Sequence, residues 1–218
     1  DDGNGRCKAV KIKETGEIIE CDVVGLTAGV TPNINFLKDS DIELGKGVKV
    51  NRLLETSVKD IYAIGDCAEQ REAIGRRRPI EAVWYTGRMM GEVLAQTICG
   101  NPMEYNPGHW FNSAKFMDVE YQTYGWVSGR NKPDFEEHFH WRHDKEMICV
   151  TIAYHKDTEE FLGINTFGIR MRHEFFDKVH NDGETVDHVI EYLADANFDP
   201  EFYKLHEPEI VQKFNKEN

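Results

Sequence analysis

Residues 55–68 read Glu55-Thr56-Ser57-Val58-Lys59-Asp60-Ile61-Tyr62-Ala63-Ile64-Gly65-Asp66-Cys67-Ala68. The apolar run Ile61–Ile64 predicts a strand buried on both faces of an α/β sheet. Gly65 lets the backbone turn tightly behind it, and Asp66 then presents a carboxylate at the carboxyl end of that strand. Ligands bind at this edge in open α/β folds. A carboxylate there can accept hydrogen bonds from sugar or polyol hydroxyls. Without its flanks, Gly-Asp after a strand is ordinarily a turn.

Working upstream, Val23-Val24-Gly25-Leu26-Thr27-Ala28, bounded by Gly29, predicts another strand buried on both faces. Before it, Cys7–Ile12 alternates small or apolar residues with lysine, Thr15-Gly16 supplies a turn, and 18–22 leads back, which is a hairpin pattern. Downstream, Arg76-Arg77-Arg78 reads as a solvated loop, with a phosphate or NADPH site as the less favoured reading. A helix follows, with Pro79 in its first turn and Gly100 at its stop. Gly87 and Gly91 fall on its apolar face, where each costs about 1 kcal/mol of helix propensity. Close approach of the backbone to a strand or a flat ligand accounts for them, and so does ordinary helix–sheet packing.

Asn101-Pro102 and Asn106-Pro107-Gly108 are the strongest turn punctuation in the chain and mark a boundary between 1–106 and 107–218. In the second part, 135–141, 147–154 and 161–167 read as three strands joined by short polar links, an antiparallel meander. Helices are expected near 172–179 and 185–194, the second striped by Val186, Val189, Ile190 and Leu193. The tail, 199–216, reads as short surface helices. The fold class is therefore a partial α/β nucleotide-binding region followed by an α+β domain around an antiparallel sheet.

Lys plus Arg number 26 and Asp plus Glu 39, so the formal charge is 26 − 39 = −13. The imbalance is concentrated in residues 107–218, with 12 basic and 22 acidic side chains, a net of −10. This argues against nucleic acid or an anionic membrane as partner, since both are bound through clustered cations. The longest apolar run, 23–30, is far short of the roughly 20 residues of a membrane helix. The N-terminus shows no signal-peptide pattern. Five cysteines without CxxC spacing imply free thiols and a cytoplasmic location.

No strand–GxGxxG–helix unit occurs, although residues 1–106 look like the later part of a nucleotide-binding fold. The chain is therefore expected to be a C-terminal fragment. With its flanks, 55–68 resembles the second FAD fingerprint of the pyridine nucleotide–disulfide reductase superfamily. Leu26-Thr27-Ala28-Gly29-Val30-Thr31-Pro32-Asn33 resembles the A-x-G-x-x-P-N return of that family from its NAD(P)H domain to its FAD domain. The resemblance implies that Asp66 bonds the ribityl chain of FAD and that Gly65 permits close approach. It also brings Gly29 into the cofactor-binding set and faces the backbone of Glu81, Ala82 and Val83 toward the flavin pyrimidine. A helix start suits the electron-rich edge of a reduced flavin.

The segment His109–Phe116, followed by Tyr121–Gly125, resembles the aromatic strand that opens the C-terminal domain of ferredoxin reductase-like and apoptosis-inducing-factor-like flavoproteins, with Asn112-Ser113 where W-S-D is expected. Trp110 and Phe111 are expected to be core aromatics. His206-Glu207-Pro208 lacks the spacer of the glutathione-reductase-type histidine motif and reads as a helix-breaking turn. Cys67 reads as a structural thiol. His138 and His140 share a strand face, but no convincing further ligand accompanies them, so no metal is expected.

The resemblance implies FAD as cofactor, NAD(P)H as co-substrate, and a small-molecule or redox-protein electron acceptor, with the chain itself inactive for want of the other nucleotide motifs. The other reading makes residues 107–218 a docking or dimerisation module of a regulatory flavoprotein, a homodimer included.

Overall fold

The computed structural model describes residues 1–198 and 204–217. They form two compact units, Asp1–Asn33 and Ile34–Asn218. In the first, β1 (Ala9–Lys11) and β2 (Ile18–Glu20) pair antiparallel in the register Ala9↔Glu20 to Lys11↔Ile18, with Gly16 at φ +75 in the turn. The expected hairpin is there. The expected strand over 23–28 is not: the segment carries no strand, and Val23 and Leu26 are 83% and 93% exposed. A continuous apolar run holds a strand conformation only when strands flank it, and none pairs with this one among the described residues.

In the second unit, β3 (Val48–Val50) and β4 (Ala68–Gln70) pair in parallel, Val48↔Ala68 to Val50↔Gln70. They share a small core with α1 (Trp84–Ile98): Val50, Leu54, Ala68, Met90 and Tyr105 are buried together. Residues 61–64 are again not a strand. They contribute one isolated bridge, Glu55↔Tyr62, and Ile61 and Ile64 stay partly exposed. The short parallel pair forms one step later in the chain than expected, after the Gly-Asp turn.

The larger core belongs to a five-stranded antiparallel sheet of β5 (Phe111–Phe116), β6 (Val119–Gly125), β7 (Glu136–Arg142), β8 (Cys149–His155) and β9 (Phe161–Phe167), in the order β5-β6-β9-β8-β7. Strands β7, β8 and β9 are the expected meander. The pleat buries Phe139 and Trp141 of β7, Val150 and Ile152 of β8 and Ile164 of β9. Helices α2 (His173–Asp182) and α3 (Val186–Glu191) cover them, and the stripe Val186, Val189, Ile190 and Leu193 is buried as expected. Thr185 caps α3 by accepting from the His188 N–H at 3.3 Å.

The expected tail helices are met by α4 (Glu207–Glu217); the part of that expectation over 199–203 lies outside the described residues. His206-Glu207-Pro208 is a correction, because it starts this helix and does not break one. Proline is tolerated in a first turn, where its missing N–H has no intrahelical acceptor. The acids Glu207 and Glu209 also suit that end.

Candidate functional site

Gly65–Cys67 forms a single 3-10 turn. Gly65 has φ +73, a left-handed conformation that only glycine adopts without strain, and its N–H points to Met90 Sδ at 3.3 Å. The Asp66 side chain is exposed beside it. Helix α1 lies against this turn because Gly87 lacks a side chain: a Cβ there would stand 3.4 Å from Gly65 Cα. One turn further on, Gly91 faces Ile64. Backbone approach thus concerns Gly87 alone; at Gly91 a Cβ would make only ordinary contact, 3.8 Å from Ile64 Cδ1. The Cys67 thiol points back to the Ile64 carbonyl at 3.5 Å.

The helix itself begins at Trp84, five residues after Pro79, which corrects the expected start. Residues 79–83 are held outside the helix by other bonds. The Gln70 N–H donates to Pro79 O at 2.9 Å, and the Val83 N–H to Glu81 O at 2.9 Å. Thr86 Oγ1 donates to Val83 O at 2.7 Å and lies 3.2 Å from Glu81 O. No side chain caps the first turn of α1, and no acid stands in it. The first-turn N–H groups of α1 are therefore not capped by a side chain of the helix's own first turn.

Of the expected site residues, Gly65, Asp66, Glu81, Ala82 and Val83 therefore fall in one unit, around the start of α1, with Val83 one turn from the Gly87–Gly65 contact. Gly29 lies in the other unit, exposed, with φ +94.

The arginine run is a loop in which Arg76 and Arg78 are exposed, as expected, while the Arg77 side chain is drawn in. Arg77 and Glu81 pair at 2.6 Å, and Arg77 Nη1 also reaches His109 O at 3.1 Å. Each arginine lies over a ring of the C-terminal part: Arg76 over Phe135, Arg77 over Trp110 and Arg78 over Trp126. Trp110 and Trp126 stack on each other at 5.6 Å, so two guanidinium groups bracket two indoles. Beside this column, a cleft of about 360 Å³ is lined by Arg76, Trp110, Trp126, Glu160 and His180. Sequence spacing could not show the arginine–ring contacts, which join residues more than thirty positions apart.

Two further expectations need correcting. Phe111 is 38% exposed and Trp110 is half-buried, so neither is a core aromatic. The reason lies in their neighbours: Phe111 stacks on Tyr85 of α1, whose hydroxyl donates to Phe111 O at 2.5 Å. Tyr85 is a site neighbour that the sequence reading missed. Burial raises its hydroxyl above the ordinary tyrosine value, so it stays a hydrogen-bond donor at neutral pH.

The histidines are separately engaged. His138 pairs with Glu136 at 2.5 Å, and His140 Nδ1 with Thr151 Oγ1 at 2.8 Å. A different group, His143, His206 and Glu209, brings ligand atoms within 4.8 Å of one another. There His143 Nδ1 accepts the backbone N–H groups of Lys145 and Glu146 at 3.2 and 3.0 Å, which puts the proton of the neutral ring on Nε2. A nitrogen carrying that proton offers no lone pair to an ion.

Residues 1–91 match the family described as pyridine nucleotide-disulphide oxidoreductase. The matched stretch runs from the hairpin through the Gly65-Asp66 turn to the first half of α1. The NADH-rubredoxin oxidoreductase of Clostridium acetobutylicum is 28% identical over 160 residues, 73% of this chain and 40% of that protein. Among solved structures, a NAD-dependent persulfide reductase from A. fulgidus has the same fold over 93% of this chain and 40% of its own, with TM-score 0.72 and 19% identity. A FAD-dependent pyridine nucleotide-disulphide oxidoreductase from Desulfovibrio vulgaris matches 88% of this chain and 49% of its own, with TM-score 0.67 and 20% identity. The chain spans less than half the length of each of these proteins.

Proposed function

We propose that this chain supplies the flavin-end wall of an NAD(P)H-dependent FAD oxidoreductase whose electron acceptor is a small molecule or a redox protein. The observation that carries the reading is the Gly65–Gly87 contact, which sets an exposed carboxylate beside an uncapped helix start within the matched stretch. FAD, when bound, takes a hydride from NAD(P)H and passes electrons to the acceptor.

The residues fit such a group. Asp66 accepts hydrogen bonds from ribityl hydroxyls, and Gly65 leaves room beside it, with no atom within 4 Å of the Cβ it lacks. Glu81, Ala82 and Val83 lead into N–H groups that donate to the polar edge of a flavin. Gly29 belongs to the same cofactor set through its own family motif. Trp84 at 77% exposure and Ile64 at 37% leave apolar surface in water that a planar ring system covers. Domains of 1–106 and 107–218, and a cytoplasmic location supported by five unbridged cysteines, complete the reading.

Retained binding without turnover is the signature of a chain carrying one end of the site. Incubated with FAD at equilibrium, the chain should perturb the visible flavin spectrum, lose the flavin on desalting, and fail to reduce a dye with NADH or NADPH. Riboflavin should bind as FAD does, and AMP should not compete. A chain that ignores riboflavin, or one that reduces the dye, overturns the proposal.

A second reading rests on the 12 basic and 22 acidic side chains of 107–218: this part docks a basic redox carrier. Such binding weakens steeply with salt. Binding that is unchanged by salt speaks against it, and light scattering tests separately whether this part dimerises the chain.

A further inference from the structure

Across the hairpin of the first unit, Cys7 Sγ and Cys21 Sγ stand 3.7 Å apart. Cys7 precedes β1 and Cys21 follows β2, so the pair lies at the open end of the hairpin, opposite the Thr15-Gly16 turn. The Cys21 N–H donates to Lys8 O at 3.1 Å, which holds the two ends of the ladder together there. Both thiols are free and half-buried, and both line a surface recess of about 570 Å³ with Arg6 and Lys8. Among the described residues, Cys67, Cys99 and Cys149 have no thiol neighbour. Bond formation needs the sulfurs to close to about 2.05 Å, a shift of about 1.7 Å that side-chain rotation can supply.

We propose that Cys7 and Cys21 form a thiol-modification site, a dithiol that exchanges with a low-molecular-weight disulfide of the glutathione type to give an intramolecular disulfide. One protein thiolate attacks a sulfur of the small disulfide, forming a mixed disulfide and expelling one small thiolate. The second protein thiolate attacks the protein sulfur of that mixed disulfide, closes the Cys7–Cys21 bond and expels the other. Two electrons pass from the dithiol to the small disulfide, and the two protons end on two small thiols. Burial and the hydrogen bond with Cys7 raise the Cys21 thiol above its ordinary value. The bond ties the two strands at the end that the turn does not constrain.

The test is to treat the full chain with glutathione disulfide, block remaining thiols with an alkylating agent, and read intact mass and linked peptides. The expected product has lost two hydrogens, has three reactive thiols out of the original five, links Cys7 to Cys21, and reverts with dithiothreitol. Cys21→Ser should stop at a single glutathione adduct on Cys7. A link through Cys67, Cys99 or Cys149, separate adducts on Cys7 and Cys21, or five unmodified thiols would each overturn the assignment.

Discussion

Arg77 and Glu81 form an ion pair at 2.6 Å in which each side chain is only 6% exposed. The pair sits at the seam between the segment leading into α1 and the strand β5, because the same guanidinium reaches the backbone carbonyl of His109. Two buried charges are costly to desolvate, and they persist here because Arg77 donates twice to Glu81 Oε2 and finds further carbonyl acceptors, although Glu81 Oε1 is buried without a hydrogen-bond partner. The position of residues 79–83, on which the proposed flavin contacts depend, is therefore fixed by a residue of the loop before them.

Removing one partner should be far worse than removing both. Arg77→Ala leaves the Glu81 carboxylate buried and unpaired, and is expected to cost about 3–5 kcal/mol of unfolding free energy. Arg77→Met combined with Glu81→Leu should recover most of that loss. Urea midpoints of the three proteins check this; equal stability of the single and double variants would contradict it.

Acid should act through His180. Burial, with the charges of His109 and Arg76 nearby, lowers its pKa from the ordinary 6.5 to about 4. Between those values the unfolded chain binds a proton that the folded chain refuses, so stability is lost as pH falls from 6.5 to 4. The full effect is about 3 kcal/mol. His180→Phe, which keeps a ring against Phe161 and His109, should flatten this part of the pH profile relative to wild type.

Gly125 ends β6 at φ +63, with Leu162 O and the His180 ring where a Cβ would stand. Gly125→Ala thus combines an unfavourable backbone conformation with a clash against backbone, and is expected to lower stability by about 2–4 kcal/mol. Gly183→Ala, also at positive φ but in open space, serves as the control and should cost only about 1 kcal/mol. Thermal unfolding of the two variants separates strain from clash.

The parts of the fold legible in the sequence are those that carry their partners nearby. The β1–β2 hairpin, the β7–β9 meander and the Val186–Leu193 stripe bury their apolar residues against neighbours close in the chain, so local period was enough. Residues 23–28 and 61–64 have the composition of buried strands, but pairing decides a strand and composition does not. The start of α1 was misplaced because Pro79 is anchored by Gln70 of β4, a tertiary bond that overrides a local helix signal. Asp66 and the glycines of α1 could be singled out because turn and helix chemistry mark them. Arg77, Tyr85 and the Cys7–Cys21 pair are defined by contacts that no spacing rule encodes.

The most direct test of the proposed flavin wall is a titration of the chain with FAD, followed by quenching of tryptophan fluorescence, for wild type and Asp66→Ala. Trp84 begins α1 and is largely exposed, which makes it a suitable reporter. Loss of hydrogen bonds to a charged acceptor costs about 1.5–3 kcal/mol, so the variant should bind FAD at least about tenfold more weakly than wild type. Superimposable binding curves for the two proteins would contradict a role for Asp66 in holding the cofactor.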